Sequence, residues 1–455
     1  MARLIGKIIN MKKVWIIVFG LSCLGLSAQK KWSLRECVDY AVEHNLQVIQ
    51  NQYSKQIQDS NLKMAKKEYL PSVSAGMSNS VSFGQLPLGT GSIRNDRFNN
   101  SANLGADVLL YNNGRLEKNI RKIKFDVEAS QYDIETIKND ISLQIAQQYL
   151  TVLLNKEIVK ISQSAVENAQ KQYDRAKITT QVGTTAQTVL AEAEAALARE
   201  KQNLKTAEIN VGRALFAIVQ LLQLPEYKGF DVEDVTVSDT LPSQLKSVDE
   251  VLATAYENQP QIKAAESRIK SAEAQTEVTR TGFWPTLTAS AGISSFYNNM
   301  LSKNYDQLGN IVNDPSFFKQ YKDNFGQNVG LSLNIPIFNK GITRLQVEQS
   351  VINQNVAKNT LEQQKQTVRQ NVQKAQFDVD ANYETYLSAL ETEKSTKLAL
   401  EFADKSYAAG RSTIYDVNVA RNNYANAQGS VAQAKYNYLF SLKLLNFYSG
   451  IPLTL

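Results

Sequence analysis

The chain of 455 residues lacks what most catalysts need. It has one histidine, His44, and two cysteines, Cys23 and Cys37. No Cys/His cluster exists, so neither a structural nor a catalytic zinc site is expected. There is no glycine-rich phosphate loop, no nucleophile elbow and no Ser/His/Asp set. Carboxylate pairs such as Asp378 and Asp380 sit within long helical stretches and read as solvated faces. The sequence therefore predicts no enzyme and no cofactor or metal. Beyond residue 30 it also lacks any window of 18 apolar residues, so no transmembrane helix is expected in the mature chain.

The amino terminus is the exception. Lys12 and Lys13 precede an apolar run from Val14 to Leu26, followed by Ser27, Ala28 and Gln29. This is the order of a secretory signal peptide, and the expected cut follows Ala28. Met11 is an alternative start. Cys23 offers a lipid acceptor, but Gly20 stands where a lipid-attachment motif has Leu. Cleavage removes Arg3, Lys7, Lys12 and Lys13 and no acid, so the net charge falls from +6 to +2. That small charge gives no reason to expect nucleic-acid binding. Cys37 is then alone, cannot form an internal disulfide, and is expected to be a buried small hydrophobe.

What the chain does have is a repeat. The run from Trp32 to Pro71 aligns with Lys246 to Pro285 at an offset of 214; Glu36, Ala41 and Glu43 meet Glu250, Ala255 and Glu257. Later the offset becomes 227: Tyr111-Asn112-Asn113-Gly114 meets Phe338-Asn339-Lys340-Gly341, Gly183 meets Gly410, and Leu224-Pro225 meets Ile451-Pro452. Repeat 1 is placed at 29–225 and repeat 2 at 248–455, with a linker at 226–247. Each repeat opens with a helix, expected over about 34–68 and 248–282. Then come 115–182 and 342–409, 68 residues each with no Gly or Pro. Ile120, Val127, Ile134 and Ile141, with Ile123 and Ile137, and in the second copy Leu361, Val368 and Ala375, with Val372 and Val379, recur at heptad-like spacing. These segments predict very long helices, each reaching roughly 100 Å. After the glycines an Ala-rich helix returns, over 186–223 and 413–449.

Four segments alternate with period two and read as strands, over about 72–83, 101–111, 286–297 and 325–337. Val73, Ala75, Met77 and Val81 alternate with Ser and Gly; so do Ala102, Leu104, Ala106, Val108 and Leu110 with Ser101, Asn103, Gly105, Asp107 and Leu109. Leu287, Ala289, Ala291 and Ile293, then Val329, Leu331, Leu333 and Ile335, repeat the pattern. Apolar on one side and small polar on the other, at this length, is the signature of a water-filled membrane barrel. A soluble sandwich is the competing fold. Its wet face usually carries charge, which these strands lack. Four strands cannot close a barrel, and lipid forbids open edges, so several chains must share one. Two chains would give a filled eight-stranded barrel, three or more an open lumen.

The duplicated order, the proline-led strands, the aromatic-Asn-x-Gly junctions and the glycine tips together resemble the TolC family of outer-membrane channel-tunnels, over residues 32–455. The resemblance implies a mostly α protein with a membrane β-barrel: a homotrimer with a 12-stranded barrel in outer-membrane lipid, and long helical hairpins forming a periplasmic α-barrel. It implies docking of the tips, Val182-Gly183-Thr184 and Ala409-Gly410-Arg411, onto a periplasmic adaptor coupled to an inner-membrane pump of RND or ABC type. It implies that Asp416, six residues after Gly410, lines an entrance gate with Arg411 and Ser412. Departures are visible: Val419 and Val189 stand where further acids can occur, and Ser412 stands at the place of a bracing Arg. The other reading of Asp416 is a solvated residue at a helix start. The linker, rich in Glu226, Asp231, Glu233, Asp234 and Asp239, is expected to join an equatorial belt.

Three functions fit: a passive exit duct for efflux or type I secretion, a stand-alone porin, and a structural coiled-coil envelope protein. A porin needs no 68-residue helices, and a coiled-coil protein needs no alternating strands. The cargo class is not readable.

Overall fold

A computed structural model describes residues 31–89, 91–235, 247–302 and 314–451. The leader expected over 1–28 and the linker residues 236–246 lie outside the described residues. The elements are β1 (Lys31–Trp32), α1 (Leu34–His44), α2 (Leu46–Lys67), β2 (Ser72–Ser82), β3 (Gln85–Leu88), β4 (Gly91–Arg94), β5 (Arg97–Tyr111), α3 (Arg115–Gln181), α4 (Gln187–Leu222), β6 (Asp231–Val232), α5 (Val248–Asn258), α6 (Pro260–Arg280), β7 (Thr286–Met300), α7 (Phe317–Asp323), β8 (Gly326–Asn334), α8 (Ile342–Ala408) and α9 (Ile414–Tyr448). Two compact units cut across the repeats. One holds the described residues within 1–52, 132–263 and 363–455, the other those within 53–131 and 264–362. The long helices α3 and α8 each have 67 residues and pass from one unit into the other.

In the first unit, Ser33 and Glu36 cap α1 reciprocally: Glu36 N donates to Ser33 Oγ at 3.2 Å and Ser33 N to Glu36 Oε2 at 3.0 Å. The single helices expected over 34–68 and 248–282 are each broken once, at Asn45 and Gln259, which are related by the repeat. Both residues take extended backbone. At Gln259 the cause is Pro260, which disfavours helical backbone before it. At Asn45 the side chain does the work, its Oδ1 accepting from Gln47 N at 2.8 Å to start α2. The core gathers around the fully buried Tyr149 and Ile145 of α3, with Ile218 and Leu222 of α4, and Cys37, Ala41 and Val48. Burial pushes the Cys37 thiol up to about 12, consistent with a packed hydrophobe. On α3 and α8 the heptad-spaced Ile134, Ile141, Val368, Val372, Ala375 and Val379 are buried.

The linker begins as a strand. β6 pairs in parallel with β1, Lys31 opposite Asp231 and Trp32 opposite Val232. Lys156 of α3 fastens it, its Nζ lying 2.7 Å from Asp231 Oδ1, 2.8 Å from Asp234 Oδ1 and 2.8 Å from Val232 O. Lys31 Nζ reaches Asp234 Oδ2 at 2.6 Å. Tyr149 donates its hydroxyl to Trp32 O at 3.1 Å or Glu233 O at 3.2 Å.

The second unit carries a four-stranded antiparallel sheet in the order β2-β5-β7-β8. Its central pair, β5 with β7, joins the two repeats. Three details differ from the sequence expectation. The loop expected between 83 and 101 contains the β3–β4 hairpin, and β5 starts early, at Arg97. The last strand stops at Asn334, just ahead of Pro336, which has no amide to donate. The register between β5 and β7 shifts between Leu109 and Tyr111. Leu110 is bulged, and Tyr111 rather than Leu110 falls in line with the apolar set.

Candidate functional site

The four alternations are in phase across the sheet. Met77, Ala102 and Ser295 form one row; Ala75, Leu104 and Ile293 the next; Val73, Ala106, Ala291 and Val329 the third. The apolar residues of the alternation that lie within the strands, Leu110 excepted, therefore share one face; Ile335 falls beyond the end of β8. The face is bare: Val73, Met77, Leu331 and Leu333 are exposed, and Val329 is 88% exposed. Such a surface in water is costly, and its extent marks it for lipid or another chain. The opposite face carries small polar groups that satisfy one another. Ser72 Oγ donates to Asp107 Oδ1 at 2.7 Å, and Ser78 and Ser101 share a hydrogen bond of 2.7 Å. β2 and β8 are the edges of this sheet.

Sequence turns each strand into a long helix in the same way. At Asn113-Gly114 and at Lys340-Gly341 two consecutive residues have positive φ, 55° and 69°, then 59° and 76°. Arg115 N donates to Asn112 O at 3.2 Å, and Ile342 N to Asn339 O at 3.1 Å. This is a type I′ turn, which explains the Asn-x-Gly signature at both junctions. Exposed aromatics stand at this end of the sheet: Tyr69, Tyr111, Phe283, Trp284 and Phe338.

The two tips close alike. Gly183 and Gly410 have φ of 77° and 71°. Thr184 N donates to Thr179 O at 3.0 Å and Arg411 N to Ser406 O at 2.9 Å, while Gly183 N reaches Thr180 O and Gly410 N reaches Tyr407 O, both at 3.0 Å. These bonds form the glycine-terminated Schellman cap of each long helix. Around them the tips differ. The first is clasped by threonines: Thr185 Oγ1 lies 2.9 Å from Thr179 Oγ1 and 3.1 Å from Thr180 Oγ1. Val182 is exposed there. The second leads into a capping box, in which Asp416 Oδ2 accepts from Thr413 Oγ1 at 2.7 Å and Thr413 N at 2.8 Å.

Asp416 is thus a helix-capping residue in the single chain. The Thr413 hydroxyl, and then its amide, hold its carboxyl below the usual aspartate range, so it is charged at neutral pH. It also borders a groove of about 300 Å³ with Thr396, Ala399, Tyr415, Val419 and Asn423. Arg411 is exposed, and its side chain is not what holds Asp416. Ser412 Oγ is buried with no hydrogen-bond partner among the described residues. Two contacts near the tips were not legible from motifs: Arg421 pairs with Asp404 at 3.4 Å, bracing α9 on α8, and Arg175 stacks 5.9 Å over the Tyr407 ring. Among the described residues no group of His, Cys, Asp or Glu is placed to hold a metal, and no helix is long and apolar enough to cross a membrane.

Comparison with known proteins adds three findings. The model of the outer membrane efflux protein family matches residues 38–223 and 251–450. The chain is 28% identical to outer membrane protein TolC of Escherichia coli (strain K12) over 324 residues, 70% of this chain and 62% of TolC. It is 22% identical to outer membrane efflux protein BepC of Brucella suis over 408 residues, 89% of this chain and 83% of BepC. The match thus spans less than two thirds of TolC. Among solved structures the fold is similar to CusC, with a TM-score of 0.74 at 18% identity over 92% of each chain. It is also similar to the Campylobacter jejuni CmeC outer membrane channel, with a TM-score of 0.73 at 20% identity over 91% of this chain and 85% of that one.

Proposed function

Because the chain belongs to the outer membrane efflux protein family, we propose that it is the outer-membrane exit duct of a tripartite efflux or type I secretion system. It conducts cargo passively from a pump and adaptor across the periplasm and outer membrane. The observation that carries this reading is the sheet: four strands in phase, one bare apolar face, one small polar face and two free edges. A lipid environment requires those edges to pair. Three copies, β8 of each joined to β2 of the next, supply 12 strands and a lumen lined by Ser, Gly, Thr and Asn. The 67-residue helices carry the duct about 100 Å from the strand junctions. This length favours an exit duct over a stand-alone porin.

In this reading the tips Val182-Gly183-Thr184 and Ala409-Gly410-Arg411 dock onto the periplasmic adaptor, and an RND or ABC pump drives transport. Three copies of Asp416 form a cation-attracting ring at the entrance. The unpartnered Ser412 Oγ and the exposed Arg411 lie next to it and supply polar contacts for the closed state. The cap fixes where the charge sits, and it is equally what the helix-start reading of Asp416 expects.

The test is single-channel recording in planar bilayers with protein extracted from outer membranes, combined with cysteine scanning of β2 against β8. Steady conductance and trimers linked between edges are expected. Monomers on cross-linking, or no current, would refute the duct.

A further inference from the structure

The sheet is uneven at the ends of its strands away from the long helices. β8 follows β7 only as far as Gly326 opposite Ser294, leaving β7 to run on to Met300. The short helix α7 and its flanks take the place of the missing strand. The Gln320 carboxamide accepts from Asn298 N at 3.0 Å and donates to Asn298 O at 2.9 Å, the pair of bonds a strand residue would make. Asn324 Nδ2 donates to Phe296 O at 2.9 Å. The helix also leans over the apolar face. Ser295 Oγ donates to Tyr321 O at 2.7 Å, the Phe317 ring lies 5.1 Å from that of Tyr297, and the Tyr321 hydroxyl bonds Asn100 Oδ1. Asn100 and Ser295, polar residues on this face, are thereby buried.

Next to α7 the face is hollow. Ala75 and Ala102 are small where Met77, Leu104 and Ile293 around them are large, and Phe325 forms a wall; together they line an open, mainly apolar groove of about 440 Å³. On α7 itself Phe318 is 83% exposed. Lys322, one turn on, is exposed beside it. α7 carries Lys319 and Lys322 against Asp323 alone, a net charge of +1.

We propose that this groove seats an acyl chain of a phosphorylated glycolipid of the outer leaflet, with Lys322 at its phosphate and Phe318 at the level of its head group. The proposal rests on the reading of the bare face as lipid-facing. A chain laid in the groove buries apolar surface on both partners. An aromatic and a lysine one turn apart match the boundary between acyl chains and charged head groups. The leaflet follows from polarity: the long helices leave from the Tyr111 and Asn334 ends of the strands, so α7 stands at the cell-surface end. A phosphorylated glycolipid is the phosphate-bearing lipid of that leaflet.

The experiment is native mass spectrometry of delipidated trimers in mild detergent. They are titrated with a bisphosphorylated, hexa-acylated glucosamine disaccharide and, in parallel, with phosphatidylglycerol. Wild type should take up the glycolipid in preference. Lys322→Ala should weaken that uptake about fivefold, as expected for one lysine at an anionic surface. Ala102→Phe, which fills the groove, should abolish the preference. Bilayer conductance and trimer content, measured on each variant, should stay unchanged and report that the barrel is intact. Equal uptake of both lipids, or uptake unaffected by either substitution, would overturn the site. Failure of the wild-type chain to form trimers or conduct would instead refute the duct.

Discussion

Lys156→Met should release the start of the linker without disturbing the helix that carries it. Lys156 is 16% exposed and makes three charge-assisted contacts, to Asp231, Asp234 and Val232 O. Charged hydrogen bonds contribute about 1.5–3 kcal/mol each, but they are not additive, and Lys31 still holds Asp234 after the change. A net loss of about 2 kcal/mol is expected, or roughly 30-fold in the local opening constant. Native-state amide exchange at Val232 and Glu233 reads this directly, because Glu233 N is bonded to Trp32 O at 3.0 Å. Exchange within about threefold of wild type would refute the clamp. The acid side gives a second arm. The Lys156 and then the Lys31 hydrogen bonds pull Asp234 down to about 2. Its folded value lies below its unfolded one, so the stabilisation is full above about pH 4 and is lost as pH falls toward 2. Asp234 is half exposed, so the solvent-screened contribution is about 1 kcal/mol. Trp32, edge-on to Tyr40 at 5.4 Å and tilted against Phe230 at 5.7 Å, reports the loss by fluorescence in a mature chain carrying Trp284→Phe. Lys156→Met should flatten that pH dependence.

Asp416→Ala should remove block of single-channel current by multivalent cations, whereas Thr413→Ala should keep the block and weaken only the start of α9, by about 1 kcal/mol; equal loss in both would make Asp416 a cap alone. Gly183→Ala and Gly410→Ala place a side chain at φ of 77° and 71°, costing about 1 kcal/mol each. Together they should reduce cross-linking to the adaptor while trimers persist on native gels, and loss of trimers would make the tips folding elements. Leu331→Arg on the bare face should cost about 2–4 kcal/mol of membrane stability and lower heat-resistant trimer yield. Ser332→Arg, on the other face, should assemble and change ion selectivity; identical assembly of the two would refute the assignment of faces.

Period-two alternation made the strands legible because most of the apolar residues were separated by a Ser, Gly, Thr or Asn. The bulge at Leu110 was hidden, since Leu109, Leu110 and Tyr111 are all large and apolar or aromatic, and no pattern says which one is skipped. The break at Gln259 had a visible cause in Pro260, and the repeat offset would have carried it to Asn45, whose only local signal is that Asn favours the start of a helix. α7 is too short for periodicity to register, and its anchor, Gln320, acts by imitating backbone, which leaves no trace in composition. The acids of the linker were plain, but their partner Lys156 is one lysine among many on a long helix. At the second tip Thr413-x-x-Asp416 is a capping pattern as readable as the glycine before it. The resemblance drew attention to the charge, and the geometry adds the cap.

The pairing of β5 with β7 carries a consequence for biogenesis. Leu104 lies opposite Ile293, and between them come the whole first helical hairpin, the linker, and α5 and α6 of the second repeat. A chain emerging into the periplasm makes β2 and β5 early and waits for β7 while four helices and the linker are exported. During that interval an apolar hairpin face has neither its neighbouring strand nor lipid, and pairing over such a distance is slow. The duplication that builds the sheet therefore also schedules it. Until the second repeat arrives, that face and its unpaired edge stay open to pairing with other chains.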